Sequence, residues 1–240
     1  MPTFISRFYF GITVPERRIE VVFFDFGGTL AYNEPDADIM YSSVLRKFGI
    51  ARSPSEIRIV TEKIASQMGG LPPQSPEAEK QFWRQYDMEV AQHLGYSLEP
   101  GLSDALSHAF RYEVNTILYP DVIPTLEALK QKGVRLGIIS NANFELLERL
   151  DALSLTKRFH SITCSATVGA NKPDRRIFQA ALDSLHVPAT AAVHIGDSYE
   201  ADFLGAKAAG LLAIWLDRKN EGGRAGLKVA SLLDLLPLIA

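Results

Sequence analysis

Cys164 is the only cysteine in the 240 residues, so no internal disulfide holds this chain together. That shortage suits a reducing compartment, and a cytoplasmic protein is the expectation. Cys164 lies in the apolar stretch Ser161–Val168, where a small buried core residue is the natural reading. Long hydrophobic runs are missing as well. No stretch approaches the ~18–20 apolar residues that cross a bilayer, so no membrane is expected as a partner. The segment Met1–Val14 is fairly apolar, but it contains Arg7 and lacks a basic start, and it does not read as a secretory leader. It has no assigned role; an extra strand, a loop and an upstream start codon all remain open. An excess of one charge is absent too: 25 Lys and Arg face 28 Asp and Glu, a net −3. Nothing in that balance attracts nucleic acid or an anionic membrane, and a phosphorylated substrate would need positive charge placed locally.

What is present is enough apolar material for a large core. Ile19–Phe24 (IEVVFF) is a continuous run rich in β-branched and aromatic residues, closed by Asp25 and a glycine pair. Such a run suits a strand buried on both faces, as in a parallel sheet. Similar runs follow at Val134–Ile139, Ser161–Cys164, Ala191–Ile195 and Leu211–Leu216. Amphipathic patterns lie between them: Val122–Lys132 ending at Gly133, Phe144–Leu153, Asp174–Leu185 with Asp174 as the cap, and Ala201–Ala209 closed by Gly210. Strands alternating with helices predict an α/β fold with a parallel sheet covered on both faces. A last strand near Leu227–Val229 and a helix over Leu232–Ile239 complete the pattern.

Residues 31–118 differ. They read as four helices, Ile39–Phe48, Ser55–Met68, Glu77–Leu94 and Leu102–Tyr112, with no strand-like run among them. An all-helical insert after the first strand is expected to form its own subdomain, leaving residues 1–30 and 119–240 as the core. Its aromatic group Phe82, Trp83 and Tyr86 reads as packing, and Lys47 and Lys63 read as solvated lysines. The chain connections at Ala31–Pro35 and Leu118–Pro120 are the expected hinges.

Asp25, Ser140 and Asp197 each follow the carboxyl end of a predicted strand, and Lys172 lies in the loop after another. Ligands of open α/β sheets bind along that edge, so residues far apart in the chain are expected to meet there. These segments resemble the motifs of the haloacid dehalogenase-like hydrolases. FFDFGGTL (Phe23–Leu30) is similar to the first motif, IISNAN (Ile138–Asn143) to the second, Lys172-Pro173 with its following helix to the third, and HIGDSYEAD (His194–Asp202) to the fourth. The order and spacing hold from about Ile19 to Asp217.

The resemblance implies a Rossmann-like core with an α-helical cap, and Mg²⁺-dependent hydrolysis of a small phosphorylated metabolite. Asp25 would attack phosphorus and form an aspartyl-phosphate. Lys172 would set a fixed positive charge against the phosphate, and Ser140 with backbone N–H groups near Asn141 would hold its oxygens. Mg²⁺ prefers oxygen ligands, which the resemblance assigns to Asp25, the carbonyl of Gly27, Asp197, and Asp202 directly or through water. The chain is expected to be a monomer or homodimer. His194, on a buried strand, reads as a core histidine outside the site.

One position departs from the pattern. Phosphatase members carry a second aspartate two residues after the nucleophile, as the acid–base group; here Gly27 stands there. Such a group is typically worth 10²–10⁴-fold in rate. Tyr32, Glu34 or a cap residue are candidate substitutes, and nothing in the sequence selects one. Three readings stay open: a phosphohydrolase with a displaced acid or good leaving groups, a dehalogenase- or phosphonatase-like hydrolase, and a non-catalytic binder of phosphorylated ligands.

Overall fold

The computed structural model describes residues 18–67, 73, 75–97, 101–220 and 222–239, together with two short strands, Phe8–Tyr9 and Ile12–Thr13, that pair antiparallel. The rest of the Met1–Val14 segment, and Met68 at the end of the second expected insert helix, lie outside the described residues. Six strands form one sheet: β1 (Val21–Phe24), β2 (Arg135–Ser140), β3 (Ser161–Cys164), β4 (Ala192–Gly196), β5 (Leu212–Leu216) and β6 (Lys228–Val229). Their order is β6-β5-β4-β1-β2-β3, and every pairing is parallel. The predicted α/β class and the strand runs are thus found.

Side-chain alternation explains why these runs are apolar at successive positions. Val22 and Phe24 join one apolar layer with Val122, Leu126, Leu136 and Ile138. Val21 and Phe23 point the other way, into a layer with Ile177, Phe178, Ala181 and Trp215. A strand covered on both faces has no side left for water. Cys164 belongs to the first layer, as its setting implied.

Strand order locates the binding crevice. The chain leaves β1 toward β2 and β3 on one side, then returns to add β4, β5 and β6 on the other. The crevice between β1 and β4 is therefore the point where the winding reverses, the usual ligand position in such sheets.

The chain divides into two compact units, residues 1–31 with 118–240, and residues 32–117. The second contains α1 (Ala37–Lys47), α2 (Pro54–Gln67), α3 (Pro76–His93) and α4 (Leu102–Tyr112) around Met40, Val44, Leu45, Ile57, Leu102 and Leu106. Its polar centre is the Asp87 carboxylate, which accepts hydrogen bonds from Tyr41 Oη (2.7 Å) and Ser103 Oγ (2.6 Å). Phe82, Trp83 and Tyr86 pack edge to face at 5.3 and 5.5 Å. The expectation that no strand interrupts this stretch is corrected: Ala31–Glu34 and Asn115–Leu118 pair as a two-stranded ribbon. AYNE and NTIL are too short and too polar to announce themselves, and the pairing exists because the outgoing and returning chains run side by side.

The core unit adds α5 (Val122–Gln131), α6 (Leu146–Ala152), α7 (Arg175–Leu185) and α8 (Gly205–Ala209). Asp174 caps α7 as expected, its Oδ1 accepting from Arg176 N at 2.9 Å. Two helical expectations need correction. The predicted helix Ala201–Ala209 begins earlier, as a π-helical turn over Tyr199–Leu204. The Ser198 carbonyl accepts from both Asp202 N (2.9 Å) and Phe203 N (3.2 Å), which widens the turn. The predicted helix Leu232–Ile239 is a short 3₁₀ segment, Leu232–Leu235, started by a Ser231–Asp234 capping box. Pro237 cannot continue it.

Candidate active site

Asp25 is the first residue past β1, and its N–H donates to the Ile195 carbonyl of β4 at 2.9 Å. The loop behind it closes on itself: Gly28 N donates to Ala31 O (2.8 Å), and Leu30 N and Ala31 N both donate to Phe26 O. Gly28 has φ +72°, and a Cβ there would run into the Asp197 carboxylate. Glycine is needed twice over at that position, for its backbone and for its missing side chain. Gly27 differs, since a Cβ on it would meet nothing within 4 Å.

Lys172 occupies the centre. Its ammonium donates to Asp25 Oδ1 (2.6 Å), Asp202 Oδ1 (2.5 Å) and the Ile139 carbonyl of β2 (2.9 Å), with only 2% of its side chain exposed. All three ammonium protons have acceptors, which a buried lysine requires. Its main chain is gripped by Asn141, whose Oδ1 accepts from Lys172 N (2.6 Å) and whose Nδ2 donates to Lys172 O (3.0 Å). Asn141 therefore ties the loop after β2 to the lysine loop by its side chain, a task its sequence position did not reveal. Ser140 is the buried last residue of β2, next to the carbonyl that the ammonium uses.

Asp25, Asp197 and Asp202 each present a carboxylate oxygen within 4.8 Å of the others. Asp197 follows β4, and the Trp215 indole N–H holds its carbonyl at 2.9 Å. Asp202 is 1% exposed and receives three donors: Oδ1 accepts from Lys172 and His194 Nε2 (2.9 Å), and Oδ2 accepts from Ser198 N (3.0 Å). His194 is thus joined to the acidic cluster, contrary to its reading as a bystander in the core. The signal was in the sequence: a lone imidazole in the buried strand AAVHI must find a polar partner, and position 194 shares a strand face with 196, beside the fourth motif.

Three carboxylates face one ammonium, and the charge surplus shows in their titration. Asp197 is exposed on one side, yet desolvation by the atoms packed around its carboxyl, reinforced by Asp25 and Asp202, pushes it up to about 7. Burial also raises Asp25, against the pull of the Lys172 ammonium. Burial alone would raise Asp202 too, but Lys172 and His194 outweigh it and hold that carboxyl well below the usual range. Lys172 shows the converse: burial opposes its charge, yet Asp25 and Asp202 raise it. Burial lowers His194, which Asp202 only partly offsets. Three carboxylates against one ammonium leave a surplus of negative charge on hard oxygen donors, which fits a divalent cation such as Mg²⁺.

A second polar knot lies just behind this site. The Arg218 guanidinium pairs with both oxygens of Asp121 (2.9 Å each), donates to the Thr29 carbonyl (2.8 Å) and lies 3.9 Å over the Tyr119 ring. Asp121 Oδ2 also accepts from Ser231 Oγ (2.7 Å) and Leu232 N (2.9 Å). The loop after β1, the chain at Tyr119–Asp121 and the segment at Ser231–Leu232 are thereby fastened together.

Fold and geometry define an α/β protein with acidic and lysine side chains collected at the reversal point of a parallel sheet. The model of the haloacid dehalogenase-like hydrolases matches residues 19–210, and the chain belongs to that family. A glyceraldehyde 3-phosphate phosphatase of Methanopyrus kandleri is 33% identical over 138 residues, 56% of this chain and 59% of that protein. The chain thus matches less than two thirds of that relative's length. Among solved structures, a HAD phosphatase from Thermococcus onnurineus is similar with TM-score 0.63 and 26% identity, covering 90% of this chain and 96% of that one. A dehalogenase is similar with TM-score 0.66 and 27% identity, covering 92% and 96%.

Proposed function

We propose that the protein is a Mg²⁺-dependent phosphohydrolase of small phosphorylated metabolites, working through an aspartyl-phosphate at Asp25. The observation that carries this reading is the meeting of Asp25, Asp197 and Asp202 around the buried Lys172 ammonium. Asp25 attacks phosphorus, the bond to the leaving oxygen breaks, and water later cleaves the acyl phosphate to restore the carboxylate. Lys172 holds Asp25 in place and adds positive charge where equatorial phosphate oxygens gather. Ser140 and the N–H groups near Asn141 contribute hydrogen bonds to those oxygens. Asp25, Asp197 and the Gly27 carbonyl, with Asp202 directly or through water, would hold Mg²⁺, which would supply positive charge between the carboxylate and the phosphate. Asp202 also anchors the lysine through Oδ1. Unit 32–117 is the cap subdomain in this reading. The names of relatives such as the Methanopyrus phosphatase support a phosphate ester as substrate.

Gly27 brings no acid, so substrates with good leaving groups, such as acyl or aryl phosphates, are the preferred class. The same feature supports a second reading, a dehalogenase in which Asp25 attacks carbon and halide leaves without a proton, and the likeness to a solved dehalogenase points the same way. The acidic surplus at Asp197 favours the phosphatase. The deciding assay is Mg²⁺-dependent phosphate release from p-nitrophenyl phosphate and acetyl phosphate, with Asp25→Asn as the control. Turnover lost in that variant upholds the phosphatase. Metal-independent halide release from a 2-haloacid, with no phosphate turnover, sinks it.

A further inference from the structure

We propose that His194 is a positioning residue of this site, fixing the Asp202 carboxylate so that the lysine it anchors stays directed at Asp25. The claim rests on the hydrolase reading and adds to it a residue from inside the sheet. His194 sits on β4 with no solvent exposure. Its Nε2 lies 2.9 Å from Asp202 Oδ1, the same oxygen that receives the Lys172 ammonium. Its Nδ1 is buried without a hydrogen-bond partner. That asymmetry assigns the proton. A hydrogen on Nδ1 would point at nothing, while the bare Nε2 lone pair would face a carboxylate oxygen. Only Nε2–H satisfies the ring.

The surroundings leave the ring little freedom. Phe178 meets it edge to face at 5.4 Å. Two residues along the same strand face, Gly196 lies so close to Asp202 that a Cβ there would overlap the carboxylate. The aspartate is therefore confined by an imidazole donor, a main-chain donor from Ser198 and a bare glycine. Lys172 needs that confinement. Its side chain has several rotatable bonds, and its third acceptor, the Ile139 carbonyl, is uncharged. An Asp202 free to turn would let the ammonium drift off the line to Asp25. An apolar residue at 194 would fill the core equally well, so packing does not account for the imidazole. An orphaned Nδ1 is a cost the core bears without return unless Nε2 has a task.

The test compares His194→Leu, which removes the donor, with His194→Gln, whose amide nitrogen reaches the position of Nε2. In acetyl phosphate hydrolysis, kcat should fall about tenfold or more in the leucine variant, the scale of a lost charge-assisted hydrogen bond. KM should change little, and the glutamine variant should recover most of the loss at equal melting temperature. Equal kcat in wild type and leucine variant, or a glutamine variant no better than leucine, overturns the claim. Nitrogen-15 NMR of the metal-free wild type provides a readout that needs no turnover: the Nε2–H tautomer is expected, and an Nδ1–H tautomer overturns the proposal. A wild type inert toward every phosphate and haloacid defeats the hydrolase reading, and the tautomer then decides the His194 claim.

Discussion

In the proposed Mg²⁺ site, Asp197 is the ligand whose protonation would set the metal affinity. Its carboxyl titrates at about 7 in the metal-free fold, so a proton competes with the cation below that pH. Mg²⁺ binding measured by calorimetry is expected to weaken by up to about tenfold per pH unit below 7 and to level off above it. The sign for stability comes from the same raised value. Between the unfolded carboxyl range and pH 7 the folded state holds a proton that the unfolded chain has released, so metal-free stability declines as pH rises through that window. Added Mg²⁺ should consequently raise the melting temperature more at pH 8 than at pH 6. Gly27 offers a complementary gain-of-function test. A Cβ there meets nothing, so Gly27→Asp fits the loop. It should raise turnover of alkyl phosphates by about 10²-fold, the low end of general acid–base help, while leaving acetyl phosphate nearly unchanged. Alkyl-phosphate rates equal to those of wild type would show that another group already serves as the acid.

At the scale of elements, the loop after β1 and the widened turn after β4 decide the geometry. Gly28→Ala combines an unfavourable φ with a Cβ inside the Asp197 carboxylate. Mg²⁺ affinity should drop at least about tenfold, since one displaced ligand costs more than 1.4 kcal/mol, and retained affinity by calorimetry would refute the crowding. These elements were unequally legible in the sequence. The strands at Val21–Phe24 and Arg135–Ser140 were plain, because burial on both faces leaves an unbroken apolar run. Helix α7 was plain through its Asp174 cap. The π-helical turn was not, since nothing in YEADFL distinguishes one carbonyl serving two N–H groups from an ordinary helical start. The ribbon at Ala31–Glu34 was invisible because its partner lies more than eighty residues away. Asp25 and Asp197 were legible as strand-end residues, Lys172 as a loop residue and Asp202 from motif order, and the structure brings them together. The grip of Asn141 on the Lys172 main chain was not, because it joins two distant loops, and the buried His194 announced a polar partner without identifying Asp202.

At the scale of the whole molecule, the last residues are part of the core. Leu232, Leu235, Leu238 and Ile239 are fully buried in the layer that also holds Val22 and Phe24. Each buried side chain of this kind contributes about 1.5–3 kcal/mol, so the four together rival a typical total stability of about 5–15 kcal/mol. A chain ended at residue 230 is expected to lose cooperative unfolding in circular dichroism; a sharp melt like that of the full chain would contradict this. The carboxylate at 121 extends this dependence, because it joins Arg218, and through it the Thr29 carbonyl, to Ser231 and Leu232. The loop after β1 is thus tied to a segment about two hundred residues further along the chain, so loosening Ser231 or Leu232 would slacken the turn that follows Asp25.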